Sequence, residues 1–411
     1  MSYNNVNVNV SGPVQPTSTY KTKVLKGNHS FASQVTEANM KYVIKYDFDL
    51  NGGSVTIPKN CVLEFDGGSL SNGELILNNT EITDNAILFC NVSGTIKNSV
   101  VNILWFGISS NSSEDCSVAF GRIQQLDLGN HYEGTTVGQK TLYIPSGIYH
   151  FSNPAIIPEL WRSVNIKGDN HSTKLYFDLS SAINGFVVKA YEVRISNIEF
   201  FGKYDSDTVL RDFSAIVLDR TTGLDDTDDE HMNNDSLVTE CAFINFYRGI
   251  NIVGRQVKVK DCGFSKCFIG VEINRSIAFD SYQGGAGRGY VISRCHFHAM
   301  YNTGQSDYYL YGAIKNSSNY VNEEPDAVER ELSECYDISV LDCIMDSTSN
   351  FYVGPLVHSR ILNNTYSYGN FNFIYSLNKL YRTIITNNTI NGKLKEYPNE
   401  EPHLGVKYPA N

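Results

Sequence analysis

The sequence contains few charged residues, and the charges that it has are mostly negative. Asp, Glu, Lys and Arg make up 19% of the 411 residues, and the formal net charge is −11. A surface that binds nucleic acid needs a basic stripe, which this charge balance does not supply. The same shortage of positive charge disfavours contact with an anionic membrane. We therefore expect no nucleic-acid partner and no membrane insertion.

Long apolar runs are also absent. No segment approaches the ~20 apolar residues that a membrane-spanning helix requires. The N-terminus, Met1 to Asn7, has neither the basic start nor the apolar core of a secretory signal. Unless a signal preceded the given sequence, we expect the chain to fold in the cytoplasm in which it is made.

The nine cysteines lack the spacing of a zinc-ligand set. A structural zinc site usually needs two closely spaced pairs of Cys or His ligands. Neither Cys262-x4-Cys267 nor any other cysteine spacing in the sequence fits such an arrangement. The sequence therefore predicts no metal site and no cofactor. It also favours a reducing compartment over a disulfide scaffold.

A strand-like phrase recurs through the C-terminal half, and its clearest copy is Val257 to Phe264. The reference position of each copy is occupied by Ile198, Cys241, Cys262, Cys295, Cys343, Asn364 and Asn388. An aliphatic residue stands three positions earlier, and an aromatic, Met or Ile stands two positions later. The shortest spacings between copies are 21 to 24 residues, which is typical of solenoid repeats. One copy cannot bury its own apolar face, so the copies must stack.

The stacking predicts an all-β solenoid in which the four repeated cysteines form a buried ladder of small side chains. Along the chain we expect an attachment arm at 1–40, a first short β-coil at 41–107, the main coil at 108–395 and a tail at 396–411. Cys116 to Leu128 is predicted to form a helix that covers the open end of the main coil.

A resemblance to known proteins supports this architecture. Leu50 to Asn60 and Leu63 to Gly68 resemble the opening of β-helix proteins from Bacteroides-type bacteria and their phages. Trp105-Phe106-Gly107, Asp115 and Tyr143 to Tyr149 together resemble the pectate-lyase-like superfamily, which includes phage tailspikes and polysaccharide-degrading enzymes. Over residues 41 to 395, the resemblance implies a single-stranded right-handed parallel β-helix.

The sequence departs from the enzymes of that superfamily. It lacks the Asn-Thr-Asp, Asp-Asp and Gly-His-Gly set of polygalacturonase-like hydrolases. The usual Gly-Asp-Gly run after Trp-Phe-Gly is replaced by Ile108 to Asp115. The resemblance therefore implies no catalytic residues. Because bacterial enzymes of this type are normally exported, the missing signal favours a phage tail protein in the virion. A bacterial protein would instead be extracellular or at the cell surface.

Three strands of the repeat are followed by long insertions, at about 219–236, 274–289 and 316–337. They are expected to leave the coil at one corner and to build a groove there. Carboxylates crowded in a groove raise one another's pKa, which is how glycosidases obtain an acid and a base. The catalytic candidates in the insertions are Asp226, Asp229 and Glu230. The binding candidates in the insertions are Asp225, Asp228, His231, Tyr282, Arg288, Glu324 and Asp326. The alternatives are a solvated acidic loop and a structural or substrate-bridging calcium site, although no EF-hand spacing is present.

A second group of candidates lies on the repeat strand itself. Residues one and three after the reference position should face solvent, and they include His296, His298 and Asp346. With the copies in register, His298 and Asp346 should stand about 4.8 Å apart. The pair could act as a general base, and the alternative is a plain polar contact. Tyr308 and Tyr309, in the following loop, suit sugar stacking and protein interfaces equally.

These features favour three functions. The first is a tailspike-like virion protein, a homotrimer that recognises a bacterial surface polysaccharide and docks to other tail subunits through residues 1–40. The second is a glycan depolymerase on the same scaffold. An acidic groove with only arginines and Lys315 as nearby cations favours hydrolysis over elimination. The third is a purely structural tail component.

Overall fold

The chain forms a parallel β-helix. A computed structural model describes residues 20–111, 113–129, 139–177, 184–202, 213–219, 235–254, 256–274, 289–300, 311–317, 337–347, 349–354, 356, 358–369, 373–375 and 383–392. Every strand pair recorded there is parallel, and each strand pairs with its counterpart in the next turn of the coil. Within these residues, no helix is long and apolar enough to cross a membrane.

The first part of the coil forms one sheet. Its strands are β1 Lys21–Val24, β2 Met40–Ile44, β3 Phe48–Asp49, β4 Ser54–Thr56, β5 Val62–Phe65, β6 Leu70–Ile82, β7 Leu88–Ile96 and β9 Gln125–Asp127. The short helix α1, Phe31–Gln34, follows β1. Because β1 pairs with β2, the coil includes Lys21–Val24, which lie inside the segment that was expected to be an arm. Residues 1–19 lie outside the described part of the chain.

The main coil has three sheets, which the chain visits in turn. Sheet A consists of β8 Val100–Asn102, β10 Thr141–Tyr143, β13 Asn165–Lys167, β16 Arg194–Ser196, β19 Leu237–Thr239, β22 Lys258–Lys260, β25 Tyr290–Ser293, β28 Ile338–Leu341, β31 Arg360–Leu362 and β34 Ile384–Thr386. Sheet B consists of β11 Gly147–Phe151, β14 Thr173–Phe177, β17 Glu199–Phe201, β20 Ala242–Ile244, β23 Gly263–Ser265, β26 His296–His298, β29 Ile344–Asp346, β32 Thr365–Gly369 and β35 Thr389–Gly392. Sheet C consists of β12 Ala155–Ile157, β15 Phe186–Val188, β18 Ser214–Asp219, β21 Arg248–Val253, β24 Ile269–Ile273, β27 Gly312–Asn316, β30 Asn350–Val353 and β33 Ile374–Tyr375.

The repeated phrase is the corner between sheets A and B. The residue before each reference position has a positive φ, between 51° and 61°, at Asn197, Glu240, Asp261, Arg294, Asp342, Asn363 and Asn387. A non-glycine residue adopts this left-handed conformation at a cost of ~1–2 kcal/mol. The burial that each corner makes possible offsets that cost, since the reference residue and the aliphatic residue three positions before it are buried in six of the seven copies.

The interior follows the predicted alternation. Phe200, Phe243, Phe264 and Phe297 are buried and stack in successive turns of sheet B, with ring centroids 5.2, 5.0 and 4.9 Å apart. Met345 and Tyr366 continue this column and are also fully buried. Burying a side chain of this size stabilises the fold by roughly 1.5–3 kcal/mol, which makes the column a major contributor to stability.

The cysteine ladder is confirmed. All eight cysteines among the described residues are free and buried. In the repeat, each Sγ lies near a backbone oxygen of the preceding turn, as Cys262 does to Val238 O at 3.7 Å and Cys295 to Val259 O at 3.7 Å. Asn364 and Asn388 then take the same position, and their side-chain amides donate to Val340 O and Ile361 O. The repeated position is therefore a packing and hydrogen-bonding site of the fold.

The predicted helix is shorter than the sequence pattern indicated. Helix α2 spans Ser117–Arg122, and Gln125–Asp127 instead forms β9, which pairs with β7. The apolar residues of this second half are buried by strand pairing, which overrides the helical periodicity. Phe120 packs against Phe151 and Phe186 of the main coil, so α2 still covers an apolar surface near its beginning.

Asp115, which contributes to the family resemblance, has a structural role. Its carboxylate accepts hydrogen bonds from the backbone N–H groups of Ser117, at 2.9 Å, and Ser152, at 3.0 Å, and from the Ser152 hydroxyl. Burial alone would raise the pKa of Asp115, but the hydrogen bonds from Ser152 and Ser117 outweigh it and lower the pKa. The residue thereby ties the beginning of α2 to the end of β11.

Three 3-10 turns complete the described structure, at Ile103–Phe106, Glu159–Trp161 and Asn170–Ser172. Strand β6 is irregular, because its pairing register with β7 shifts between Ser71 and Glu74. A glycine at that point permits the irregularity, because Gly73 has a φ of +159° and a side chain there would meet Gly53 O at 2.5 Å.

Candidate functional site

A group of exposed polar side chains lies close together on the outer surface of sheet B, within the part of the chain that the structure describes. His296 and His298 are alternate residues of β26, and Phe297 between them is fully buried. Because side chains alternate along a strand, both imidazoles face outwards. Asp346 is the register partner of His298 on β29. We call His296, His298 and Asp346 the outer cluster.

The distances within the outer cluster are short. His298 Nδ1 lies 2.9 Å from Asp346 Oδ1, and His296 Nε2 lies 3.3 Å from the same oxygen. The side chains of His296 and His298 are 53% and 60% exposed, whereas that of Asp346 is 32% exposed. An ionised carboxylate only accepts hydrogen bonds, so Nδ1–H of His298 donates and its Nε2 is left as the acceptor.

The predicted pair of His298 and Asp346 is therefore present. The sequence also placed His296 on this face but gave it no role. The available signal was its position, one residue after the reference Cys295, which puts it on the same side as His298. Its approach to Asp346 depends on side-chain rotamers, which the repeat pattern does not specify.

The neighbouring positions leave the outer cluster open on one side. Gly263 is the register partner of His296 on β23, and Ser265 is that of His298. A Cβ built on Gly263 would meet no atom within 4 Å. On the other side, Ser367 of β32 is the register partner of Asp346. A ligand can thus approach the imidazoles from above β23 and meet hydroxyl groups on both flanks.

The same outer column carries aromatic rings nearer the beginning of sheet B. His150, Tyr176 and Phe201 stack in consecutive strands, with centroids 5.4 and 4.5 Å apart. Both faces of the Tyr176 ring are covered by these neighbours. Sugar stacking needs a free ring face, so this part of the column is less suited to binding than the outer cluster.

Sheet C holds a buried ionic group. The Glu272 carboxylate is paired with the Arg248 guanidinium and lies 3.3 Å from Lys315 Nζ. Burial on its own raises the pKa of Glu272, but the charges of Arg248 and Lys315 outweigh it and hold the pKa below its ordinary value. Lys315, one of the cations expected near the groove, is thus engaged in an ion pair.

The insertions carry the remaining candidates. The strands that precede them, β18, β24 and β27, belong to one sheet in parallel register, so the predicted common corner of departure is confirmed. The candidates that lie outside the described residues are Asp225, Asp226, Asp228, Asp229, Glu230, His231, Tyr282, Arg288, Tyr308, Tyr309, Glu324 and Asp326. Their grouping and roles stay predictions.

Comparisons with known proteins find similarity in structure only. No family model matches the sequence, and no curated protein matches it. The siphovirus 9NA tailspike receptor-binding domain is 10% identical with a TM-score of 0.38, covering 96% of this chain and 79% of that one. ORF18 of Geobacillus virus E2 is 13% identical with a TM-score of 0.34, over 72% of this chain and 59% of that one. The chain thus spans less than two thirds of ORF18.

An enzyme is among the similar structures as well. Alginate lyase AlyF-OU02, in complex with G6, is 9% identical with a TM-score of 0.33, and the match covers 95% of this chain and 90% of that one. At these identities the similarity concerns the fold. The assignment of the parallel β-helix itself depends on the strand pairing of this chain.

Proposed function

We propose that this protein is a tailspike-like component of a phage tail that binds a bacterial surface polysaccharide through the outer face of sheet B. The observation that supports the proposal is the outer cluster, in which two exposed imidazoles and one carboxylate are held on a rigid face. Such groups donate to and accept from sugar hydroxyls. Because strands fix their positions, little conformational freedom is lost when a ligand binds.

The flanking residues extend the binding face along the coil. Ser265, His298, Asp346 and Ser367 follow one another in four adjacent strands. Adjacent strands are about 4.8 Å apart, so the four groups span roughly 14 Å. An extended glycan that lies along the coil axis can meet all of them in sequence. A homotrimer and docking to other tail subunits through residues 1–40 belong to the same proposal.

Binding is favoured over hydrolysis by the composition of the outer cluster. Glycosidases usually employ two carboxyl groups on opposite sides of the scissile bond. The outer cluster contains one, Asp346, already engaged with both histidines. A depolymerase would need a second carboxylate from the acidic insertions, where Asp226, Asp229 and Glu230 stay the candidates.

The experiment that tests the proposal is a binding screen against purified bacterial capsular and O-antigen polysaccharides, followed by size analysis of each bound glycan. We expect one class of glycan to bind and its chain length to stay unchanged. His298→Ala and Asp346→Asn should each weaken that binding at least ~10-fold, as the loss of one charged hydrogen bond implies. His171→Ala is the matched control, since His171 is an exposed imidazole that lies 2.7 Å from Glu199 of β17, outside the stretch from β23 to β32 that is proposed to bind.

Three results would contradict the proposal. Unchanged glycan affinity in His298→Ala and Asp346→Asn would show that the glycan does not bind at the outer face of sheet B. Shortening of the glycan would establish the depolymerase function, and replacing Asp226, Asp229 and Glu230 would then test the acidic insertion. For the trimer, a monomeric mass in solution at micromolar concentration contradicts the proposal.

A further inference from the structure

We infer that the outer cluster is a binding site for a divalent transition-metal ion, with zinc as the reference ion. The inference goes beyond glycan binding and does not depend on it. The sequence predicted no metal site because the cysteine spacings fit none. The candidate ligands are instead two histidines of β26 and Asp346, the last residue of β29, which is in register with His298.

The chemistry of the three groups suits such an ion. Each of His296, His298 and Asp346 offers one ligand atom, and the three atoms lie within 4.8 Å of one another. Imidazole and carboxylate ligands together are typical of zinc and of other first-row ions. Calcium prefers six to eight oxygen ligands, and the outer cluster offers one carboxylate.

The distances agree with tetrahedral coordination. Metal–ligand bonds of 2.0–2.1 Å at a tetrahedral angle place two ligand atoms about 3.3 Å apart. The observed separations from Asp346 Oδ1 are 2.9 Å to His298 Nδ1 and 3.3 Å to His296 Nε2. An ion between these atoms replaces the proton that His298 Nδ1 shares with Asp346. Small rotations of the exposed imidazoles can bring the two nitrogens closer together.

The surroundings favour an open site rather than a closed one. Three protein ligands leave one tetrahedral position for water or for a ligand oxygen. The free space above Gly263 lies beside His296, so that position is accessible from solvent. A bound ion here would offer a coordination position to a sugar hydroxyl or a carboxylate.

Competing thiol ligands can be excluded by design. The eight described cysteines are buried and cannot reach an ion in solvent without unfolding. Cys335 is the ninth and lies outside the described residues, so the test uses a Cys335→Ser background. The protein for this titration is prepared without a polyhistidine tag, because a tag would itself bind zinc.

The experiment is a calorimetric titration of the full chain with zinc chloride alone, in a buffer that does not bind metal. We expect one zinc ion per chain, and at least a ~10-fold loss of affinity in His296→Ala, His298→Ala and Asp346→Asn. His171→Ala should bind zinc as the parent does, because its imidazole pairs with Glu199 but belongs to no group of three potential ligands among the described residues. Cobalt should give the visible spectrum of a tetrahedral ion in the parent and lose it in the double variant His296→Ala/His298→Ala.

The histidine variants are expected to fold, since both side chains are exposed, and circular dichroism verifies this directly. Equal zinc affinity in the parent and the double variant would overturn the inference. An equal loss in His171→Ala would do so as well. Because no glycan is present in the titration, failure here leaves the glycan proposal to be judged by its own screen.

Discussion

His298 Nδ1 lies 2.9 Å from Asp346 Oδ1, although 48 residues separate the two along the chain. The contact is produced by one step of the coil, because β26 and β29 are adjacent and in register. An exposed pair of this kind contributes less than ~1 kcal/mol to stability. Folding therefore depends little on this pair, and replacing either residue tests the proposed site without a large loss of stability.

The first prediction separates binding from stability. His298→Ala, Asp346→Asn and the double variant should all lose glycan affinity, while their unfolding midpoints stay within a few degrees of the parent's. Because the two groups act as a unit, the double variant should lose little more affinity than either single variant. Equilibrium binding and thermal unfolding of the four proteins measure both effects. Additive losses of affinity would show that the two residues contact the ligand independently.

The repeat phrase was sufficient to predict the core and the outward face. Reference positions, apolar columns and the direction of His298 all follow from the alternation of side chains along a strand. The sequence alone thus places the residues on either side of Cys295. The same reasoning explains why the long insertions leave at one corner, since β18, β24 and β27 stack in sheet C.

Two other features could not be predicted in this way. The second half of the 116–128 segment has a helical pattern, yet Gln125–Asp127 pairs with β7, along the edge opposite β6. The contact of His296 with Asp346 depends on rotamers, and the pairing of Glu272 with Arg248 depends on which side chains reach across neighbouring strands. The alternation of side chains along a strand predicts the face on which a residue lies, but it does not predict which side chain that residue contacts.

The second prediction concerns the buried thiols. Burial raises the pKa of Cys241 to about 12 and holds the pKa of Cys295 well above its ordinary value. The thiolate is the reactive form, so native Cys335→Ser protein should react with a thiol reagent orders of magnitude more slowly than denatured protein. The measurement is the rate of thiol modification at pH 8 with and without denaturant. Rapid labelling of Cys262 or Cys295 in the native protein would contradict the buried ladder.

The third prediction tests the position at which asparagine replaces cysteine. Asn364 Oδ1 accepts from the backbone N–H of Cys343 at 2.8 Å, and Asn364 Nδ2 donates to Val340 O at 3.1 Å. Asn364→Ala leaves the N–H of Cys343 and the carbonyl of Val340 buried without these partners. The free energy of unfolding should therefore fall by ~2–3 kcal/mol. Chemical denaturation measures the loss. Asn391→Ala, at an exposed position of β35, is the control and should change stability by less than ~0.5 kcal/mol.

The fourth prediction concerns Glu272 and acid stability. Its pKa is lowered from the ordinary value of 4.5 by Arg248 and Lys315, against the effect of burial. A lowered pKa in the folded state means that the charged carboxylate stabilises the fold above about pH 4.5. That contribution is lost as the pH falls below 4.5 towards the folded-state pKa. Glu272→Gln should therefore lower stability at neutral pH by ~3 kcal/mol and flatten its decline in acid.

Unfolding of the parent and Glu272→Gln across pH 3 to 7 measures this dependence. The control is Glu81→Gln, which removes a surface pair whose atoms lie 3.0 Å apart with both side chains at least 40% exposed. It should change stability by less than ~1 kcal/mol. If the two variants lose equal stability at neutral pH, the ionic group of sheet C does not have the assigned role.

The fifth prediction compares two glycines of the coil. A Cβ at Gly270 would meet Phe297 Cε1 at 2.5 Å and Ala313 O at 2.6 Å, whereas one at Gly263 would meet nothing within 4 Å. Gly270→Ala should therefore lower stability by ~2 kcal/mol, because the aromatic column must shift to admit a methyl group. Gly263→Ala should leave stability unchanged or raise it by up to ~1 kcal/mol, since it restricts the unfolded chain. Thermal unfolding of both variants gives the comparison.

Gly263→Ala also probes the space beside His296 without changing a polar group. Its methyl group would stand on the outer surface of β23, in register with His296, where a ligand is expected to approach. If the Gly263→Ala variant keeps its full stability but binds the glycan more weakly, the ligand lies directly over Gly263. Full affinity together with full stability would instead confine the ligand to the side of the outer cluster that faces β29 and β32.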